Sequence, residues 1–385
     1  MVAGILLGPS FFGLLSPAAT GFLFPPSSMD TLKIFSDFGA ILFMFRVGMD
    51  FDVQHLLKHA HTAILVSHAS IIVPFTLGTT LSLFIYHSMA GPSASFTTFA
   101  LFMDIAMSIT AFPVLARIVH ERGWTECHLG IISIGCAAID DISAWCILGA
   151  VLSIVKAEGI AASFFTIADV LVYVALMVFL LKPFLRWLLP AVASSGNHAI
   201  TSQYNSWAAV MIAFALSASL ATEIIGMHAL FGAFLAGIII PSGDLRSFCK
   251  ERVEAIASGL LLPVFFAFTG LRTQIALLNT PTAWLICAGV IAIAVAGKLG
   301  GSMMAARWSG MQWNESFLLG VMMNTRGLME LIVLNIGYDL GIMSSQMFAI
   351  LVLMALLTTV MTSPLLGYPK VTTLVGTCRF GMNAG

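Results

Sequence analysis

The chain has 385 residues, 59% hydrophobic and 9% charged, with a formal net charge of −1 and a mean hydropathy of +0.99. Soluble domains carry about 25% charged residues, so a soluble fold of this size is excluded, and the near-neutral balance argues against a nucleic-acid partner. The apolar runs are continuous over about 16–27 residues rather than alternating over about ten, which selects membrane-spanning helices over a β-barrel.

In chain order these runs predict about twelve spans. They cover residues 1–16 (short and partial), 34–49, 62–87, 95–117, 129–155, 164–186, 206–222, 226–241, 255–270, 282–305, 316–337 and 345–366. Alternate connections carry Lys58, Arg117, Arg122, Lys182, Arg186, Arg246, Lys250, Arg252 and Arg307, with Lys370 and Arg379 in the tail; the opposite set carries only Lys156 and Arg272. The positive-inside rule puts the first set and the C-terminus in the cytoplasm. The expected organisation is a single transmembrane domain over 1–385, with no soluble regulatory domain. The chain opens inside an apolar stretch, MVAGILLGPSFFGLL, that exits outward in this topology, so a further span upstream is expected. Nothing in it resembles a cleavable signal peptide. The six cysteines are scattered and show neither metal-ligand spacing nor a disulfide framework.

Two spans carry breaks. The fourth contains Ser108-Ile109-Thr110-Ala111-Phe112-Pro113. Pro113 removes a helix hydrogen bond and disfavours helical geometry at Phe112. The eleventh contains Asn324-Thr325-Arg326-Gly327, followed by Glu330; the conformational freedom of Gly327 permits unwinding there. Either segment alone reads equally as a kink. Unwound backbone at membrane depth needs protein or a water-filled cavity to supply partners. The two broken spans run in opposite directions, each between two unbroken spans, which is the pattern of an inverted repeat with crossed discontinuous helices.

The strongest chemical signal is the Asp140–Asp141 pair, in the middle of the run GIISIGCAAIDDISAWCILGAVLSI. One charged carboxylate at the bilayer centre costs about 2.5–3.5 kcal/mol on insertion scales. Adjacent helix residues point about 100° apart, so one carboxylate can face Lys298 of the tenth span while the other faces a cavity. Two plainer readings compete: a buried pair satisfied by hydroxyls and a lysine, and a Lys298 that snorkels to the cytoplasmic surface. Gly297, Gly300 and Gly301 beside Lys298 favour a packed position. A carboxylate poised between burial and a neighbouring cation can exchange a proton for a hard monovalent cation. The hydroxyl of Thr110 and the freed carbonyls around it are suitable oxygen ligands. The only metal expected is therefore a transported monovalent cation at Asp140 and Asp141, and no cofactor is implied.

Arg326 and Glu330, four residues apart, are expected to pair and to support the broken helix by compensating half-helix ends. Asp104 reads either as facing an outer funnel or as lying in outer water. Arg46 and Asp50 are four apart and suit a simple pair. Glu223, His228 and Asp169 lie near outer turns. Enzymatic chemistry is not indicated: an intramembrane aspartyl protease needs its two aspartates on separate helices facing one water.

Several strings closely resemble the cation:proton antiporter-2 family, relatives of bacterial sodium/proton antiporters and plant cation/proton exchangers. They are GILLGPS at 4–10, SITAFPVLARI at 108–118, AAIDDISAW at 137–145, HALFGAFLAG at 228–237, LLLPVFFAFTGLRT at 260–273, Lys298, and MNTRGLMELIVLNIG at 323–337. The resemblance implies an all-α, sodium/proton antiporter-like fold with inverted repeats and two crossed discontinuous helices. Its core spans would be about 62–155 and 282–366, with a scaffold from the rest. It implies exchange of Na⁺ or K⁺ for H⁺ by alternating access. Asp141 would bind cation and proton in turn, Asp140 would bridge to Lys298, and Thr110 and its unwound neighbours would line the site. Adjacent aspartates accompany electrogenic exchange in related antiporters. A homodimer in the bilayer follows by analogy, and the wording of the motifs points to a bacterial inner membrane. Three departures stand out: the first complete span and a regulatory domain are absent, and Arg46 and Asp104 stand where relatives commonly carry apolar or small residues. A gated K⁺ efflux channel-like system of the same fold and an inactive, N-terminally truncated fragment are the alternative readings.

Overall fold

The computed structural model describes residues 1–50, 60–125, 127–156, 160–193, 200–226 and 228–367. Among these the fold is helical, and the only β pairing is an isolated antiparallel bridge between Ala90 and Met343. The helices are α1 (Val2–Leu7), α2 (Phe12–Leu15), α3 (Pro17–Leu23), α4 (Pro26–Asp50), α5 (Ala60–Met89), α6 (Phe96–Ser108), α7 (Phe112–Glu121), α8 (His128–Lys156) and α9 (Ile160–Ala175). They continue as α10 (Lys182–Ala193), α11 (Ile200–Ile225), α12 (Ala229–Ile239), α13 (Asp244–Ile256), α14 (Leu262–Arg272), α15 (Pro281–Trp308), α16 (Trp313–Met323), α17 (Leu328–Asp339) and α18 (Ser345–Leu366). Single π-helical turns join α9 to α10 and α13 to α14.

Among the described residues eight helical stretches are long and apolar enough to cross a membrane, or up to nine when α16 and α17, bent by 44° at their break, count as one span. The protein is a multi-pass integral membrane protein. Three of the predicted spans are not among these stretches. Residues 1–16 and 226–241 give only shorter apolar helices, Val2–Leu15 and Ala229–Ile239. The segment 34–49 lies in α4, where Asp30, Lys33, Asp37, Arg46 and Asp50 dilute the apolar run. The predicted loop residue Lys58 and tail residues Lys370 and Arg379 lie outside the described residues.

The chain divides into two compact units. The first comprises Met1–Asp52 and Gly149–Arg272. Within it α4 and α12 meet through glycines: a Cβ on Gly48 would strike the Phe234 carbonyl, and one on Gly237 the Phe45 carbonyl. Arg46 pairs with Asp50 at 3.0 Å, as expected from their spacing, but also reaches Glu254 of α13 at 3.3 Å, and Lys250 closes the cluster on Asp50. Glu223 and His228 are exposed and half-buried caps of α12, accepting from the Ala229 and Leu230 amides at 3.1 and 3.4 Å. Asp169 is exposed.

The second unit comprises Val53–Leu148 and Thr273–Gly385. Its described helices repeat one motif: a long helix, a broken helix, a long helix, first as α5, α6/α7, α8 and again as α15, α16/α17, α18. Side chains start several of these helices. Ser95, Thr280 and Ser344 accept from the Thr98, Ala283 and Met347 amides at about 3.2 Å. Gln312 and Glu315 form a capping box on α16. Gly91 donates to the Ile342 carbonyl at 2.9 Å and Ser344 to that of Met89 at 3.1 Å, so the entry to α6 and the exit from α17 lie together.

Small residues set how closely α15 packs on α5. A Cβ on Gly297 would lie 3.0 Å from Cα of Pro74, and one on Gly301 would lie 3.0 Å from both the Ala69 carbonyl and Cβ of Val73. Both glycines face α5, and Lys298 rides between them. Gly300 meets nothing within 4 Å. Gly297→Leu or Gly301→Leu is therefore expected to destabilise the protein by about 1–3 kcal/mol through overpacking, whereas Gly300→Leu leaves it near wild type. Thermal unfolding of the detergent-solubilised protein checks this; equal melting of all three variants contradicts the packing.

Candidate functional site

The two breaks cross inside the second unit. In the first, Ile109 and Ala111 are extended (φ −74, ψ 135 and φ −87, ψ 99). The extension thus falls at 109–111, and Phe112, expected to leave the helix, is the first residue of α7. Pro113 sits in the first turn of α7, where its missing N–H costs nothing. In the second break Asn324 ends α16 and Gly327 opens α17. Gly327 is extended (φ −174), so its role is space rather than conformational freedom. A Cβ there would stand 2.8 Å from Cβ of Ala111 and 2.9 Å from Cγ2 of Val114.

That clearance brings the breaks into hydrogen-bond contact. The Ala111 amide donates to the Thr325 carbonyl at 3.0 Å, and Thr110 Oγ1 donates to the Met323 carbonyl at 2.9 Å. Thr359 of α18 completes the second break, accepting from the Arg326 amide and donating to its carbonyl, both at 2.9 Å. Helix ends carry partial charges, negative at the C-terminus and positive at the N-terminus. At the end of α6 the carbonyls of Ala106 and Met107 accept from the Arg326 guanidinium, the latter at 2.6 Å, and that of Ser108 accepts from Lys298. At the start of α17 Glu330 lies 3.6 Å from Arg326, both fully buried, but neither Glu330 oxygen accepts a hydrogen bond.

The N-terminal end of α7 meets the aspartate pair of α8. Asp140 is saturated. Its Oδ1 accepts from Ser70 at 2.9 Å and Ser67 at 3.3 Å; its Oδ2 accepts from Lys298 Nζ at 2.7 Å and the Thr110 amide at 3.0 Å. Lys298 is fully buried, so it does not snorkel. Asp141 is the opposite. It is 1% exposed, the Phe112 amide lies within its electrostatic reach, and neither of its oxygens makes a hydrogen bond of normal geometry. The plain reading of a pair satisfied by hydroxyls and a lysine thus describes Asp140 alone.

The remaining sequence candidates divide. Asn324 is buried with its Oδ1 unpartnered, beside the crossing. Asp104 is buried rather than in outer water, and accepts from Thr79 Oγ1 at 2.6 Å. Sequence reasoning missed Ser67, Ser70 and Thr359. Serines and a threonine on an apolar helix carry no local signal, and their partners lie 33 to 73 residues away.

Crossed broken helices around a cluster of buried charges define a multi-pass membrane protein of the ion-transport type. The model of the transmembrane sodium/hydrogen exchanger family matches residues 1–367, and the chain belongs to that family. It is 42% identical over 367 residues to Na(+)/H(+) antiporter NhaS4 of Synechocystis, a match covering 95% of this chain and 88% of that one. Cation/H(+) antiporter 17 of Arabidopsis thaliana is 37% identical over 95% of this chain and 44% of its own length. K(+)/H(+) antiporter 1 of Saccharomyces cerevisiae is 33% identical over 96% and 43%. The chain spans less than half the length of these plant and yeast relatives. Among solved structures, the sodium proton antiporter MjNhaP1 from Methanocaldococcus jannaschii at pH 8 matches with a TM-score of 0.65 at 13% identity, covering 96% of this chain and 89% of that one. The fold is shared.

Because Arg326 holds α6 carbonyls as well as facing Glu330, Arg326→Gln should cost about 3–5 kcal/mol, the range for breaking a buried charge pair. Glu330→Gln leaves the carbonyls capped and should cost less. Thermal unfolding of both variants reads this; equal losses would show that the ion pair, not the capping, holds the crossing.

Proposed function

We propose that the protein exchanges a monovalent cation, Na⁺ or K⁺, for H⁺, with Asp141 as the site the two share. The observation that carries this reading is the unpartnered Asp141 carboxylate beside a saturated Asp140. At the crossing Lys298 and Arg326 offset Asp140 and Glu330, so Asp141 is the one charge in excess. One proton or one monovalent cation neutralises it, and a divalent ion overshoots. An empty, ionised Asp141 is expensive to hold in a dehydrated interior. Movement between the two sides therefore favours the loaded site, which couples the ions. In this reading the oxygens for a cation come from Asp141 and from Thr110, whose amide bonds the neighbouring Asp140.

The cycle we infer is alternating access, with the ions competing at Asp141 and the Lys298–Asp140 pair carrying the additional proton of an electrogenic exchange. A net charge moved per cycle couples to the membrane potential by about 2.3 kcal/mol per 100 mV. The names of the relatives, a Na(+)/H(+) and a K(+)/H(+) antiporter among them, support both cations. Loop charge supports a cytoplasmic C-terminus, and the bacterial relative supports an inner-membrane location. A homodimer belongs to the same reading by resemblance alone.

Proton movement in proteoliposomes after addition of Na⁺, K⁺ or Li⁺ tests the proposal. Asp141→Asn should abolish cation-dependent proton flux, and retained pH-dependent cation transport in that variant would sink the assignment. Lys298→Ala should lower thermal stability and alter the pH profile more than it weakens cation binding. Cation flux without proton counterflow in the wild type would identify the channel-like reading instead.

A further inference from the structure

A second buried carboxylate stands outside the crossing. Asp104 is 1% exposed, in the last part of α6. It lies four residues before Ser108, about 6 Å from the break toward the starting end of the helix at 1.5 Å per residue. Thr79 Oγ1 of α5 donates to its Oδ2 at 2.6 Å, while Oδ1 has no partner. The room for it comes from Gly78, where a Cβ would stand 2.5 Å from Oδ1, 3.3 Å from Cα of Asp104 and 3.4 Å from Sδ of Met107. Two consecutive residues of α5 thus serve one carboxyl, the first by leaving space and the second by bonding.

Among the described residues the two cations that bond α6 are occupied elsewhere. Lys298 of α15 is held by Asp140 and the Ser108 carbonyl. Arg326 of the second break is held by the Ala106 and Met107 carbonyls and faces Glu330 of α17. From α5 the carboxyl meets a hydroxyl and a glycine. Among the described residues no cation pairs with Asp104 in the structure. A buried anion with a single hydroxyl donor is poorly stabilised, whereas the neutral acid fits these surroundings. A proton needs only the free Oδ1. A cation needs a shell of oxygens, and beside Oδ1 stand a bare glycine and a thioether.

We propose that Asp104 is a second proton-binding group of the transport unit, protonated while α6 is packed and exchanging its proton when the starting side of α6 opens to water. The proposal rests on the antiport reading and deepens it. In the orientation given above this is the outer side, so Asp104 makes the exchange rate respond to external pH. The proton arrives on Oδ1 from that side and leaves by the same route, with Thr79 remaining the donor to Oδ2.

Infrared titration of the full chain reads Asp104 directly. The wild type should show a protonated-carboxyl C=O band that titrates with pH, is missing in Asp104→Asn, and shifts in Thr79→Val. In proteoliposomes of uniform orientation, Asp104→Asn should move the external-pH midpoint of exchange by about one unit, a tenfold change in apparent proton affinity. Thr79→Val keeps the carboxyl but loses a donor to its anion, and should move the midpoint to higher pH. A spectrum unaffected by Asp104→Asn, a band that persists at every pH, or an external-pH profile unchanged in both variants would each overturn the proposal. A wild type without exchange would refute the antiport reading, while the infrared titration would still decide the protonation of Asp104.

Discussion

The constraint on which this structure depends is that a helix cannot end inside a membrane without something to meet its open backbone groups. Four helix ends meet at the crossing of α6/α7 with α16/α17, and three of them are met by groups from other elements of the second unit. The carbonyls ending α6 receive Arg326 and Lys298. The amides opening α7 face Asp140 and Asp141. A carbonyl ending α16 receives Thr110, and Glu330 lies in the first turn of α17. The charges are therefore placed by the backbone. Gly327, Gly297 and Gly301 set the approach distances that let those side chains arrive.

From that placement the chemistry follows by difference. Adjacent residues on one helix cannot share an environment, because they point about 100° apart. Asp140 lands among two serines, a backbone amide and a lysine; Asp141 lands where no hydrogen bond of normal geometry reaches it. The first is fixed by its donors and has little to gain from another ligand. The second carries the charge that the fold leaves uncompensated. The proposed exchange relies on that contrast, because a carboxylate already saturated by the protein would compete poorly for an ion.

Much of this was legible in the sequence, for identifiable reasons. A charged pair in an apolar run is conspicuous by its cost. Proline and a polar-glycine string mark backbone that leaves the helix. The inferences that went astray were finer. The string 108–113 does contain the first break, but Phe112, where the proline rule disfavours helix, is helical: the chain unwinds at 109–111 and uses Pro113 as a helix starter. Gly327 was read for its flexibility and is needed for its lack of a side chain. Asp104 gave no sign of burial, because its space and its hydrogen bond come from Gly78 and Thr79, on another helix. Long-range partners leave no local pattern: Arg326 meets Ala106 across 220 residues, and Arg46 meets Glu254 across 208.

The Lys298–Asp140 pair shows why stability and transport are hard to separate in this protein. A buried ion pair is a poor device for stability alone, since an apolar pair of similar volume is often as good or better. Here the alternative is not open. An apolar residue at 298 would leave the Ser108 carbonyl uncapped at membrane depth, and one at 140 would leave the Thr110 amide without its acceptor. Both charges are needed to close the breaks, and the first break is what turns backbone amides toward the aspartate pair. The same two side chains thus hold the crossing shut against lipid and neutralise each other. In the proposed exchange an ion arriving at Asp141 changes the net charge of the crossing by one, and the groups that share its helix ends experience that change.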